Sequence, residues 1–216
     1  MRTRLWWSIY LLDVQSFEHQ AITPQIYEGT YDTELPLNIN DSDLFPESKD
    51  SCTERTGFAE TTFFLVRCEL NVRCRKLMHN SKPGLSMERP SIEDTTTVLH
   101  ELNTFIENKR LQFCDYRTPI QWVTATVTRV ALARSWLTAH LCLYQTADLS
   151  PELWQQRRDI LFQTAIEVLE FTHLLESSDE TAQWSWMFQM YRQWHAFAFI
   201  LSELCVRPAS PLADRA

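Results

Sequence analysis

The prolines of this chain cluster at a few places, and between them lie long segments in which apolar residues recur every three or four positions. Proline lacks a backbone donor and disrupts helix interiors, so such clusters mark the limits of regular segments. Apolar spacings of three and four are typical of one helix face, and no stretch alternates with period two. The sequence therefore predicts an all-α fold, a helical bundle of about six long helices with one long acidic loop.

Capping residues and periodicity indicate where these helices begin and end. Ser150-Pro151-Glu152 is a strong helix start, because it supplies a capping serine, a first-turn proline and an acid at the positive end of the helix dipole. The last helix is apolar on nearly every side, so we expect it to lie centrally. The expected helices cover residues 2–19, 57–79, about 91–114, from Pro119, from Pro151, and from Thr181 to Val206 without interruption.

A long acidic loop, about residues 22–55, separates the first two helices. Between Tyr27 and Asp50 it contains seven acids and one base, Lys49, interleaved with leucines. This acidic-hydrophobic mixture is typical of activation segments. The alternative is a surface loop that packs its leucines onto the helices, and we favour that alternative.

Charge and glycine content exclude several functional classes. The net charge of −8 makes the chain a poor candidate for binding DNA unaided, because that affinity depends on lysine and arginine at phosphates. Three isolated glycines cannot build a phosphate-binding loop. The apolar stretch from Trp184 to Val206 is interrupted by charged residues, so we expect no membrane span.

No metal-binding or catalytic motif is complete. The six cysteines, at positions 52, 68, 74, 114, 142 and 205, include no CxxC pair. Asp41-Ser42-Asp43 begins like a calcium loop, but Pro46 and Cys52 stand where glycine and glutamate are needed. We expect no cofactor in this chain and no enzyme activity. A cofactor-free enzyme on the same scaffold is the weaker alternative.

An aromatic segment near the end of the chain is the one candidate ligand pocket. His195 lies between Trp194 and Phe197 in the most apolar helix. It is either a core histidine with hydrogen-bonded ring nitrogens or a polar group inside an aromatic pocket for a small-molecule effector. The residues expected to line that pocket are Trp184, Phe188, Trp194, His195 and Phe197.

Four motifs, in order along the chain, resemble the fungal-specific transcription factor domain, the middle homology region of zinc binuclear-cluster regulators. Residues 4–13 (RLWWSIYLLD) resemble its R-[RL]-W-W-x-[LIV]-[YF]-x-[LM]-D helix, and residues 35–44 (LPLNINDSDL) its LP-x-N-x-x-D-x-D-L segment. Residues 63–69 are similar to F-x-L-x-R-x-E, and residues 193–205 to Q-W-H-A-x-A-[YF]-x-L-x-E-L-C. The motif residues are Arg4, Trp6, Trp7, Asp13, Pro36, Asp41, Asp43, Arg67, Glu69, Trp194, His195 and Glu203.

The resemblance implies a nuclear protein whose middle domain responds to an effector or restrains an activator. Residues 1–206 would be the C-terminal part of that regulatory domain, and residues 207–216 a tail. In this family a six-cysteine zinc cluster binds DNA further upstream. None of the six cysteines here has that spacing, so we expect an N-terminally truncated regulator without its own zinc-cluster DNA-binding domain.

The expected partners follow from the same resemblance. We expect protein partners or self-association, a small-molecule effector, and contact with DNA only through a zinc cluster upstream of this segment. The alternative is a stand-alone truncated protein that binds another regulator through an exposed helical surface.

Overall fold

The computed structural model describes residues 2–20, 25–27, 29–44, 52–80, 91–144, 150–188, 193–207 and 212–216. These ranges contain seven α-helices and no β-strand, which confirms the all-α prediction. The helices are α1 (Arg2–Gln20), α2 (Thr62–Asn80), α3 (Ile92–Lys109), α4 (Pro119–Tyr144), α5 (Pro151–Ser177), α6 (Ser185–Phe188) and α7 (Trp194–Val206). Within the same ranges, no helix has the length and apolar character needed to cross a lipid bilayer.

Most predicted helix starts are confirmed. The Ser150 hydroxyl accepts the Leu153 N–H at 3.4 Å, so the predicted capping serine begins α5. Two limits differ. Helix α2 begins at Thr62 rather than residue 57, because Thr61 is bonded to the backbone of Ile39. Helix α3 ends at Lys109, and a 3-10 turn at Leu111–Phe113 replaces its predicted last turn.

The prediction of one continuous, central helix from Thr181 to Val206 is wrong. A 3-10 turn at Asp179–Trp184 is followed by the short α6, and α7 begins only at Trp194. The buried Thr181 hydroxyl lies 2.6 Å from the Leu175 carbonyl oxygen, and such side-chain bonds to backbone compete with a continuous helix. Helix α7 is also not central, because it buries only Ala196, Ile200 and Glu203.

The chain forms two compact units. Unit 1 consists of Met1–Pro90 and His100–Cys114, and unit 2 consists of Ser91–Leu99 and Asp115–Ala216. Helix α3 therefore contributes its beginning to unit 2 and its remainder to unit 1. Each unit has its own buried core.

One buried cluster of unit 1 is rich in aromatic residues and lies between α1 and α2. Trp7 and Tyr10 are 2% and 0% exposed, with ring centroids 5.0 Å apart. Trp6 and Tyr31 pack against this pair, with their own ring centroids 4.5 Å apart. Cys68 of α2 completes the cluster. Aromatic contacts of this kind stabilise a core beyond the area they bury.

The core of unit 2 is aliphatic, and α5 lies at its centre, packed against α4 and α7. Leu137 of α4 and Leu161 of α5 are fully buried, and Phe162 is 2% exposed. Ala196 and Ile200 contribute the buried side of α7. Leu212 also packs against this cluster, so part of the segment predicted to be a tail belongs to the unit.

His140 is a buried polar group in unit 2. Its ring stacks on Trp136, with centroids 4.1 Å apart. Nδ1 lies 2.8 Å from the Trp136 carbonyl oxygen, and Nε2 lies 3.0 Å from the Thr96 hydroxyl of α3. Burial lowers the pKa of His140 below its ordinary value of 6.5, and the nearby charge of Arg157 lowers it further. The neutral imidazole is therefore the form that the fold accommodates.

Two neighbouring residues of α5 provide a matched test of the unit 2 core. Leu161 is 0% exposed, whereas Ile160 is 54% exposed. We expect Leu161→Ala to lower the free energy of unfolding by about 2–5 kcal/mol, because it leaves a cavity. Ile160→Ala should cost less than about 1 kcal/mol. Denaturant unfolding monitored by circular dichroism measures both, and equal losses would contradict this packing.

The burial of His140 predicts a dependence of stability on pH. The pKa of His140 is lowered in the folded state. Just below the ordinary value of 6.5, the unfolded chain therefore binds a proton at His140 that the folded chain does not bind. Stability should be complete above the ordinary value of 6.5 and should fall as the pH drops below it. Unfolding midpoints at about pH 7.5 and about pH 5.5 test this, and His140→Gln should reduce the difference between them. An unchanged difference in that variant would assign the effect to other groups.

Candidate functional site

One end of the acidic loop is held by α1. The Trp7 indole N–H donates to the Glu34 carbonyl oxygen at 2.8 Å. The Asp13 carboxylate accepts the backbone N–H groups of Gln25 and Ile26 at 2.9 and 3.1 Å. Trp7 and Asp13, both in the motif of residues 4–13, thus bind backbone groups that would otherwise lack partners. These bonds fix where the loop leaves α1.

Arg75 of α2 supports the same corner of unit 1. Its guanidinium donates to the Ile26 carbonyl oxygen at 2.6 Å and lies over the Tyr10 ring, 5.1 Å from the centroid. It also lies 3.9 Å from the Asp13 carboxylate. The docked loop thus covers Arg75, whose side chain is 16% exposed.

Asn38 holds the middle of the loop. Its side chain is buried, with the amide NH₂ donating to the carbonyl oxygens of Arg55 and Gly57 at 3.0 and 2.8 Å. Its amide oxygen accepts the Thr62 hydroxyl at 2.7 Å. A buried amide that satisfies three partners at once specifies a single path for the loop.

The acids of the loop are used in local pairing. Asp41 accepts from Arg4 of α1 at 2.5 Å, and Asp43 forms two bonds with Arg55, at 2.5 and 2.6 Å. These bonds with the Arg55 guanidinium, together with the Asn40 N–H, lower the pKa of Asp43 to about 2.

The described part of the loop is therefore a docked surface loop. The favoured alternative was right about docking and wrong about its cause, since Leu35, Leu37 and Leu44 stay 37–43% exposed. Pro36 and Ile39 are the residues that pack inward. The acids and aromatic residue between positions 45 and 50 lie outside the described residues.

A buried carboxylate lies at the centre of unit 1. Glu69 of α2 is 3% exposed, and Arg110 is 6% exposed. The Arg110 guanidinium donates to both Glu69 oxygens, at 3.0 and 3.2 Å, and Lys109 donates to one at 2.9 Å. Burial alone would raise the pKa of Glu69, but the bonds from Arg110 and Lys109 outweigh it and lower the pKa. Glu69 is therefore charged and fully paired.

Unit 2 contains an equivalent arrangement. Glu203 of α7 is 1% exposed and accepts from Arg158 of α5 at 2.6 Å and from Arg207 at 2.6 and 3.2 Å. Arg207 also bonds to Asp159. This network joins α5 to α7 through a charge that could not be buried alone.

The structure does not gather the five predicted pocket residues into one enclosed site. Phe188 is buried in α6 and Trp184 is half-buried, whereas Trp194, His195 and Phe197 are exposed on α7. His195 is thus not a core histidine. Only two of the five line a depression of about 290 Å³, which is bounded by Leu169, Thr172, His173, Glu176, Gln193, Trp194 and Phe197.

Sequence reasoning missed the partners of these motif residues. Four residues contact partners far away in sequence or lie beyond a helix end, namely Asn38, Arg110, Arg158 and Arg207. No local spacing marks them. The sequence signal that could have found these partners is the acid within two of the motif helices, Glu69 and Glu203. A buried carboxylate requires a cation nearby.

Comparison with known proteins gives relatives along the whole chain. "Transcriptional regulator AacuB" of Aspergillus aculeatus is 29% identical over 219 residues, covering 100% of this chain and 30% of that protein. "C6 finger domain transcription factor nscR" of Aspergillus fumigatus is 30% identical over 220 residues, covering 96% and 28%. "Aurofusarin cluster transcription factor aurR2" of Gibberella zeae is 26% identical over 224 residues, covering 100% and 32%.

The homologues of this chain are fungal C6 finger transcription regulators. It spans about 30% of the length of the relatives that it matches, so it corresponds to one region of them. No family model matches the chain, and no solved structure resembles it significantly.

All six cysteines of the chain are free thiols. Cys68 and Cys114 are buried in unit 1, whereas Cys142 and Cys205 are exposed on two helices of unit 2. Burial raises the pKa of the Cys68 thiol to about 12, whereas zinc binds the thiolate. Across the described ranges, no three potential ligands of the His, Cys, Asp and Glu types come together.

The remaining motif residues of this chain also have structural contacts. Arg67 lies over the Phe63 ring at 5.6 Å from its centroid, and Trp6 stacks on Tyr10 at 5.9 Å. Most of the motif residues thus position helices and the loop. Trp194 and His195 are both exposed on α7.

The Glu69–Arg110 pair gives a test of this structural role. We expect Glu69→Ala to lower the free energy of unfolding by about 3–5 kcal/mol, because it leaves a buried guanidinium without its main partner. The double variant Glu69→Met with Arg110→Met should recover most of that loss, since apolar residues can replace a buried ion pair. Thermal and denaturant unfolding measure both variants. A double variant as unstable as the single one would show that the pair acts differently.

Proposed function

We propose that this chain is a regulatory helical region of a fungal transcription regulator. The observation that carries the proposal is the match along essentially the whole chain to proteins named as transcription regulators. Its charge and its described cysteine positions support a role that does not include direct DNA binding by this region. The proposal places the protein in the nucleus.

The names of the relatives also support a class of target genes. One relative, from Gibberella zeae, is named as the transcription factor of the aurofusarin cluster. We extend this to the present chain and propose that its targets are genes of a biosynthetic cluster. All three relatives are named as regulators rather than as enzymes, so the enzymatic alternative receives no support from them.

The regulatory role has two components in this proposal. The helical units respond to a partner or effector, and they transmit that response to the transcription machinery. The exposed aromatic residues of α7 favour a protein partner, because they form an open surface rather than an enclosed cavity. The alternative of a stand-alone protein that binds another regulator uses the same surface.

A reporter assay tests the regulatory role. The 216-residue chain, fused to a heterologous DNA-binding domain, should change transcription from a reporter that carries the matching binding site. Leu161→Ala should abolish the change because it disrupts the core of unit 2, and Ile160→Ala should preserve it. Output equal to that of the DNA-binding domain alone, with the fusion folded and nuclear, would contradict the proposal.

A further inference from the structure

One side of α7 is exposed and, apart from His195, carries only uncharged residues. Trp194, Phe197 and Leu201 are 58%, 48% and 48% exposed. A helix that is apolar on nearly every side is normally buried. Exposed apolar surface of this extent on a folded unit is typical of an interaction site.

This face of α7 carries an apolar ridge with a groove beside it. Trp194, Phe197, Leu201 and Cys205 succeed one another at spacings of three and four, so they form one ridge about 17 Å long. Beside the ridge, Leu169 and Thr172 of α5 complete the depression of about 290 Å³. An amphipathic helix lays its apolar side into an apolar groove of this kind.

Acidic residues at one end of the groove favour a basic partner. Glu176 and His173 line the depression with Trp194, and the turn that follows α5 exposes two further acids, Asp179 and Glu180. The described basic residue at the other end of α7, Arg207, is already bonded to Glu203 and Asp159. The groove therefore presents an aromatic surface and an acidic end, which together attract a lysine or arginine side chain.

A second copy of the chain fits this surface less well. Antiparallel pairing of two α7 helices would bring the acidic end of each against the negative dipole end of the other. This objection does not apply to a single basic helix.

We propose that the α7 face is the docking surface for a basic amphipathic helix of another protein. The apolar side of that helix packs on Trp194, Phe197 and Leu201, and its basic residues lie near Glu176 and Glu180. This inference rests on the proposed function, for which it names the class of partner.

Peptide binding to the full 216-residue chain tests the proposal. The probe is a labelled helical peptide of about 18 residues with leucines on one side and lysines on the other. Two matched peptides serve for comparison, one with glutamate in place of lysine and one with the lysine peptide's composition scrambled. Fluorescence anisotropy should give a Kd for the amphipathic lysine peptide at least about tenfold lower than for either of the others.

Variants locate the binding. Trp194→Ala with Phe197→Ala should raise the Kd of the lysine peptide at least about tenfold. Glu176→Lys with Glu180→Lys should remove the preference for lysine over glutamate. Leu153→Ala with Ile160→Ala, on exposed positions of α5, is the matched control and should leave the Kd unchanged. Circular dichroism establishes that each variant is folded.

Three results would overturn the proposal. These are equal binding of all three peptides, binding that is unaffected by the Trp194 and Phe197 substitutions, and dimerisation by sedimentation that Phe197→Ser abolishes. The last would assign the face to a second copy. The reporter assay decides the regulatory role separately, because a chain that alters transcription without binding the lysine peptide keeps the proposed function and loses only this surface.

Discussion

Burial of a charged carboxylate is the constraint on which both units depend. Glu69 and Glu203 each lie almost completely out of solvent, and each is surrounded by cations from other parts of its unit. Removing a carboxylate from water is costly, so its helix must pack where those cations can reach it. Hydrophobic packing supplies most of the stability of each unit, whereas these bonds restrict it to one arrangement of its helices.

The same principle explains the long loop. Its described acids pair with arginines, and the amide of Asn38 binds two backbone carbonyls and a hydroxyl. Loops that follow one path need such partners, because backbone groups removed from water must be satisfied. A composition that is typical of a disordered activation segment therefore belongs, in its described part, to an ordered element of unit 1.

The residues of the four sequence motifs fall into two structural groups. Arg4, Trp7, Asp13, Glu69 and Glu203 all bind other parts of their own unit, so they maintain the scaffold. Trp194 of the last motif is exposed, as are Phe197 and Leu201 further along α7. The scaffold residues thus support a helix whose apolar ridge faces solvent.

The sequence by itself determined the helical class, the start of α5 and the family, because periodicity, capping residues and motif order are local properties. It did not determine the break between Thr181 and Trp194, where no proline or glycine marks the interruption and a buried threonine hydroxyl turns the chain. It also left open which acids are paired and which side of α7 is exposed. Those outcomes depend on residues about forty positions away, such as Arg110 for Glu69 and Arg158 for Glu203, and only tertiary packing brings them together.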